Sequence, residues 1–134
     1  MPGWDGYDVP GYIKRIWPVA VLVDNDVNIM ALGERAAGWP TADHLVFVKV
    51  STGIGAGIIG DGVLQRGAGG IAGDIGHIAI QRAAGVQCTC GNLECLEAVA
   101  GAPAIAASLA KQGVAAATVD DVIKLIQAGD LRAV

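Results

Sequence analysis

Apolar positions along this chain fall into short continuous runs separated by helically spaced stripes and glycine-rich breaks. Val19 to Val23 is a continuous, mainly β-branched run that reads as a buried strand. It ends at Asp24-Asn25-Asp26, where a helical pattern takes over from Val27 to Ala37 and is closed by Gly38 and Pro40. Leu45 to Val50 predicts a second buried strand and Ile54 to Ile59 a third. Gly60-Asp61-Gly62 then turns the chain into Val63-Leu64-Gln65, which predicts a hairpin. Ahead of these elements, Pro2, Gly3, Gly6, Pro10, Gly11 and Pro18 punctuate a turn-rich start with room for one short helix between Val9 and Trp17. After the hairpin come a glycine-rich loop from Gly67 to Gly76, an alternating strand from His77 to Gln81, and a helix beginning near Leu96. Thr118 before Asp120 and Asp121 supplies the capping hydroxyl and acidic first turn of a last helix, Val122 to Ala128, which stops at Gly129. The order is strand, helix, three strands, loop, strand, cysteine cluster, two helices. With no internal repeat and no low-complexity linker, it predicts a mixed α/β domain.

Composition narrows the picture. The 134 residues suffice for one ordinary domain, and 53% apolar against 16% charged residues excludes disorder. A net charge of −4 gives no general attraction to nucleic acid or anionic lipid, so this stretch is not expected to bind DNA itself. No stretch reaches the roughly 18 uninterrupted apolar residues of a membrane span. The opening MPGWDGYDVP has neither a basic nor an apolar signal-peptide region, which leads to the expectation of a cytoplasmic protein.

All three cysteines fall between positions 88 and 95, as Cys88-Thr-Cys90-Gly91-Asn-Leu-Glu-Cys95. In a reducing compartment such clustering favours a metal over a disulfide. Sulfurs this close in sequence converge only if the backbone turns sharply, which Gly91 permits. Zinc takes four tetrahedral ligands, so three sulfurs need one more donor. Of the two histidines, His44 and His77, the second is nearer and follows Gly76, and it is assigned as the fourth ligand. A closed four-ligand site is structural in character. The alternative is that these are small apolar core residues.

Asn25 and Asp26 stand where the first strand meets its helix, the position at which α/β proteins place ligands. An aspartate there can orient or deprotonate a hydroxyl, and an amide can bind its neighbours. Both residue types are equally suited to capping the helix. The loop from Ser51 to Gly57 offers backbone N–H groups and two hydroxyls that could cradle phosphate oxygens, but it is not a Walker A sequence, and a tight turn of small residues explains it as well. The run from Gly67 to His77 would let backbone approach a ligand closely, with Asp74 and His77 as its polar groups; otherwise it is a mobile surface loop.

Taken together and in order, Val23-Asp24-Asn25-Asp26, Thr52-Gly53-Ile54-Gly55-Ala56-Gly57, Arg66-Gly67, Ala72-Gly73-Asp74-Ile75-Gly76-His77 and the cysteine cluster followed by Leu96-Glu97 resemble the ROK family of bacterial sugar kinases and sugar-responsive repressors. The likeness runs from about Val19 to Ala107. It implies a partial actin-like (ribonuclease-H-like) ATPase fold, a mixed sheet with flanking helices. Residues 1–24 would end the small N-terminal lobe, and residues 25–134 would open the large lobe with the sugar cleft and zinc site. By the same resemblance Asp26 matches the catalytic base and Asn25, Asp26, Asp74, His77 and Glu97 the sugar-binding groups. His77 would serve zinc with one ring nitrogen and a sugar hydroxyl with the other. His77, Cys88, Cys90 and Cys95 would hold a structural Zn²⁺. Thr52, Gly53 and Gly55 match the second phosphate loop of an ATP site, relevant with Mg²⁺ only if the parent protein is a kinase.

Three residues depart from the family pattern. Asp74 stands where the kinases usually carry glutamate, Ser51 where a phosphate-loop glycine is usual, and Glu94 where the cysteine turn usually has a second glycine. The first two suit a sugar-sensing regulator better than a kinase. The family's first phosphate loop, its adenosine-binding glycine pair and a winged helix are not found in this stretch. The expectation is therefore the sugar-binding effector region of a ROK regulator, or alternatively part of a sugar kinase. No phosphoryl transfer is expected from this chain alone, and unpaired strand edges should lead it to self-associate.

Overall fold

The computed structural model describes residues 6–131, so the expected turn at Pro2 and Gly3 lies outside the described residues. Helix α1 spans Val9–Ile16; the Asp8 side chain accepts from the Gly11 N–H, Pro10 sits in the first turn, and the helix buries no residue. The irregular segment that follows overturns one expectation. Val19 to Val23 forms no strand, and Leu22 is 95% exposed. A β-branched run becomes a strand only where a neighbour accepts its ladder, and none of the described strands lies beside this one.

Helix α2 spans Asp26–Gly38 and is capped by Asn25, whose side chain accepts from Val27 N–H. Strands β1 (Leu45–Val50), β2 (Ile54–Gly60) and β3 (Val63–Gln65) form one sheet in the order β1-β2-β3. Every ladder in it is antiparallel, with Phe47 opposite Gly57 and Ile59 opposite Leu64, which corrects the expectation of a mixed sheet for the described residues. The β2–β3 turn places Asp61 and Gly62 both at positive φ, the geometry that matches the twist of a two-residue hairpin. β1 was expected to be a buried strand. Instead Leu45, Phe47 and Lys49 are half-buried while Val46, Val48 and Val50 are exposed.

α2 packs on the inner face of this sheet, where Ala31, Ile59 and Leu64 are buried among Leu45 and Phe47. The approach is close enough that a Cβ at Gly57 would sit 2.4 Å from Ala31 Cβ and 2.8 Å from the Val27 carbonyl oxygen. Glycine at that register is what lets helix and sheet touch backbone to backbone.

The expected strand from His77 to Gln81 is also absent. Ile75–His77 and Gln81–Ala83 are short 3₁₀ turns, and a single antiparallel bridge joins Ala79 to Cys95. The helix expected from Leu96 is two helices, α3 (Leu96–Ala100) and α4 (Ala102–Lys111), broken at Gly101, whose ψ of 155° is extended. Pro103 in the first turn of α4 starts a helix well but cannot donate a hydrogen bond to continue one. Helix α5 (Val119–Gln127) begins three residues before the expected Val122 because Thr118 and Asp121 form a reciprocal capping box. α4 and α5 share a separate small core of Ala106, Leu109, Val114, Ala116 and Val122. Among the described residues no helix is long and apolar enough to cross a membrane.

Candidate functional site

A cavity of about 610 Å³ opens between the start of α2, the loop before β2 and the glycine-rich segment. The residues matched to sugar- and phosphate-binding positions line it: Asn25 and Asp26 at the start of α2, Thr52 and Gly53 from the β1–β2 loop, Gly55 from β2, and Asp74, His77 and Glu97 from the opposite wall. Elements up to 72 positions apart in sequence thus converge on one space large enough for a monosaccharide.

The start of α2 is fixed by charge. Asp24 accepts from Arg66 at 2.9 Å (Nε) and 2.5 Å (Nη2) through one oxygen, and from Asn28 Nδ2 and Asn25 N–H through the other. These bonds, Asn28 first and Arg66 next, hold the Asp24 carboxyl below its ordinary value. They also satisfy Asn28, which is buried. With Asp24 tied to the segment after β3, Asn25 caps the helix and Asp26 occupies its first position. Both the capping role and the cavity position considered for Asn25 are realised: its side-chain oxygen accepts from Val27 N–H, and its amide nitrogen makes no hydrogen bond among the described residues.

The glycine-rich segment is docked on the sheet. Gly73 O accepts from Ala56 N–H at 2.7 Å and Ala72 N–H reaches Arg66 O at 3.1 Å. At Gly73 (φ 91°) a Cβ would lie 1.8 Å from the Ala56 carbonyl oxygen, so only glycine allows this contact. Glu97 spans the other side: its Oε2 accepts from Ile54 N–H at 2.9 Å, holding the start of β2 to α3. Ala102 N–H adds a bond to Ser51 O at 2.8 Å.

Below the cavity, a ring nitrogen of His77 and the Sγ atoms of Cys88, Cys90 and Cys95 lie within 4.8 Å of one another. Cys90 and Cys95 sulfurs are 3.7 Å apart, as are Cys88 Sγ and His77 Nδ1. A tetrahedral zinc with Zn–S bonds of about 2.3 Å has sulfur–sulfur edges of about 3.8 Å, so these donors fit that ion. The turn that gathers them uses Gly91 at φ 94° and Glu94 at φ 67°. The backbone N–H of Cys90 leads in pulling the Cys88 thiol down to about 7, whereas burial pushes the Cys95 thiol up to about 12. Without a cation one sulfur ionises readily and another resists; a divalent metal at the centre would hold all three as thiolates. His77 turns Nδ1 to this cluster while lining the cavity, which links the two sites.

Two features of the site were not found from sequence. Lys49 lines the cavity and donates to Asp26 Oδ2 at 2.6 Å, and this bond is the main reason the Asp26 carboxyl lies below its ordinary value. Its signal was a lone cation in an otherwise apolar strand. The Arg66–Asp24 clamp carried no local signal, because its partners are separated by 42 positions.

The ROK family profile matches residues 1–134. A glucokinase of Halalkalibacterium halodurans is 40% identical over 114 residues, 84% of this chain and 34% of that protein. A xylose repressor of Caldicellulosiruptor bescii is 39% identical over 115 residues, 83% of this chain and 29% of the repressor. The crystal structure of a ROK glucokinase from Streptomyces griseus, in complex with glucose and AMPPNP, superposes with a TM-score of 0.78 at 25% identity, covering 92% of this chain and 45% of that one. The chain spans about a third of the length of these curated relatives. On the whole-chain match, the paired motifs and the shared fold, the chain belongs to the ROK family.

Proposed function

We propose that this chain forms the sugar-binding region of a ROK-family sugar-responsive transcriptional regulator, built on part of an actin-like ATPase fold. Residues 1–24 would close the small lobe and residues 25–134 would open the large one. The observation that carries the reading is the convergence of Asn25, Asp26, Asp74, His77 and Glu97 on one cavity. Carboxylates accept from sugar hydroxyls, and the Asn25 amide and the imidazole supply the complementary donors. Glu97 serves partly as a strut, since one of its oxygens is taken by Ile54 N–H. His77, Cys88, Cys90 and Cys95 would hold a zinc ion whose contribution is structural: it neutralises the thiolates and ties the histidine's orientation to the cysteine turn.

A second reading, part of an ATP-dependent sugar kinase, is favoured by Thr52, Gly53 and Gly55 lining the same cavity, where Asp26 would take the hydroxyl proton during transfer to the sugar. The regulator is preferred because Asp74 reaches one methylene less far than the glutamate usual in the kinases. Three thiols so close together also support a reducing, cytoplasmic setting. The exposed valines of β1 support self-association.

Calorimetric titration of the chain with glucose and with xylose, with and without ATP and Mg²⁺, tests the proposal. We expect one sugar to bind without nucleotide and no phosphorylated product. Phosphorylated sugar would establish the kinase reading instead, and failure to bind either sugar would remove the proposal.

A further inference from the structure

Strand β1 is apolar from Leu45 to Val50 except at Lys49. Alternation places Lys49 on the inner face with Leu45 and Phe47, where the sheet pattern calls for another apolar residue. Its side chain is only 27% exposed, and its ammonium meets Asp26 at the cavity wall. The Asp26 carboxylate is held at both oxygens: Oδ1 accepts from Val27 N–H at 2.9 Å and Oδ2 from Lys49 at 2.6 Å. An ordinary surface ion pair contributes little and could be lost without consequence. This one is different in place, because it fixes the carboxylate that the sugar reading puts against a hydroxyl.

We propose, resting on that reading, that Lys49 is a positioning residue of the sugar cavity that acts through Asp26, holding its carboxylate as a hydroxyl acceptor and opposing its use as a proton-abstracting base. Each carboxylate oxygen has two lone-pair directions, so Lys49 and Val27 leave one on each oxygen for a hydroxyl. An acceptor already bonded to an ammonium still accepts well, but its affinity for a proton falls, and with it its strength as a general base. The arrangement therefore favours recognition over phosphoryl transfer. It is a device that a sensor can keep and that a kinase would have to disrupt.

The test is a double-mutant cycle on the full chain, titrating glucose and xylose into wild type, K49M, K49R, D26N and K49M/D26N, with circular dichroism to check folding. For the sugar that wild type binds, K49M should weaken affinity about tenfold, the size of one charge-assisted hydrogen bond. K49R should restore most of the loss. In the D26N background, K49M should change affinity by less than about twofold, because the residue through which it acts is already altered. Equal binding by K49M and wild type, or a tenfold loss that persists beside D26N, overturns the proposal. Absence of binding by wild type to either sugar would instead overturn the sugar reading. In that case carbon-detected NMR titration of the Asp26 carboxylate decides the pairing on its own. Asp74, His77 and Glu97 line the same cavity and Asp24 lies two residues away, and all are unchanged in K49M. The Asp26 midpoint should rise in K49M; an unmoved midpoint overturns the hold of Lys49 on Asp26.

Discussion

Glu94 occupies the left-handed region at φ 67° within the turn that gathers the cysteines, a conformation that a side chain disfavours by roughly 1 kcal/mol or more. Its carboxylate recovers little, since its bond to Gly85 N–H is long at 3.4 Å. Glu94→Gly should therefore raise stability by about 0.5–1 kcal/mol, the added unfolded-state freedom of glycine offsetting part of the relief. Thermal unfolding of the two forms checks this, and a lower midpoint for the glycine variant would show that the Glu94 side chain is needed where it stands. The oddity of this position was legible beforehand as a side chain in place of a glycine. Lys49 was not, because one cation in an apolar strand is indistinguishable in sequence from a solvated edge residue.

At the scale of elements, the stretch from Ala79 to Cys95 has no extended ladder. Two isolated bridges, Ala79–Cys95 and Gln87–Leu93, and a few turn bonds hold it, so the sulfur and imidazole donors are its main cross-links once a metal is bound. Purified chain should carry one zinc, and a strong chelator should expose the thiols of Cys88 and Cys95, which are otherwise buried. Metal analysis with thiol titration before and after chelation measures both. Thiols fully reactive from the outset, in protein free of metal, would remove the zinc assignment. The spacing of the donors was legible in sequence, whereas the 3₁₀ turns that carry His77 were not: alternation over five residues resembles a strand whether or not a partner strand exists.

For the whole molecule, surface area is the informative quantity. The chain exposes 9237 Å², against roughly 6,500 Å² for a typical folded monomer of its mass. The difference is of the order that a stable protein interface buries. Val46, Val48 and Val50 lie on β1, which among the described residues pairs only with β2, and Val19, Leu22 and Val23 are exposed as well. Self-association through such surfaces should therefore appear in native mass spectrometry or sedimentation at micromolar concentration. A clean monomer across that range would rule it out.

The sequence by itself determined the family motifs, the clustering of the three cysteines, the α2 cap, the Asp-Gly hairpin and the capping hydroxyl of α5. Each depends on groups within a few residues of one another, whose chemistry acts locally. Only the tertiary structure decided that Val19 to Val23 has no ladder, that the sheet is antiparallel, and that Gly73 seats the glycine-rich segment against Ala56. It also brought Lys49 to Asp26 and Arg66 to Asp24. Those outcomes depend on which distant segments become neighbours, and hydrogen-bond partners, burial and the value of a charge pair are properties of that neighbourhood rather than of residue type.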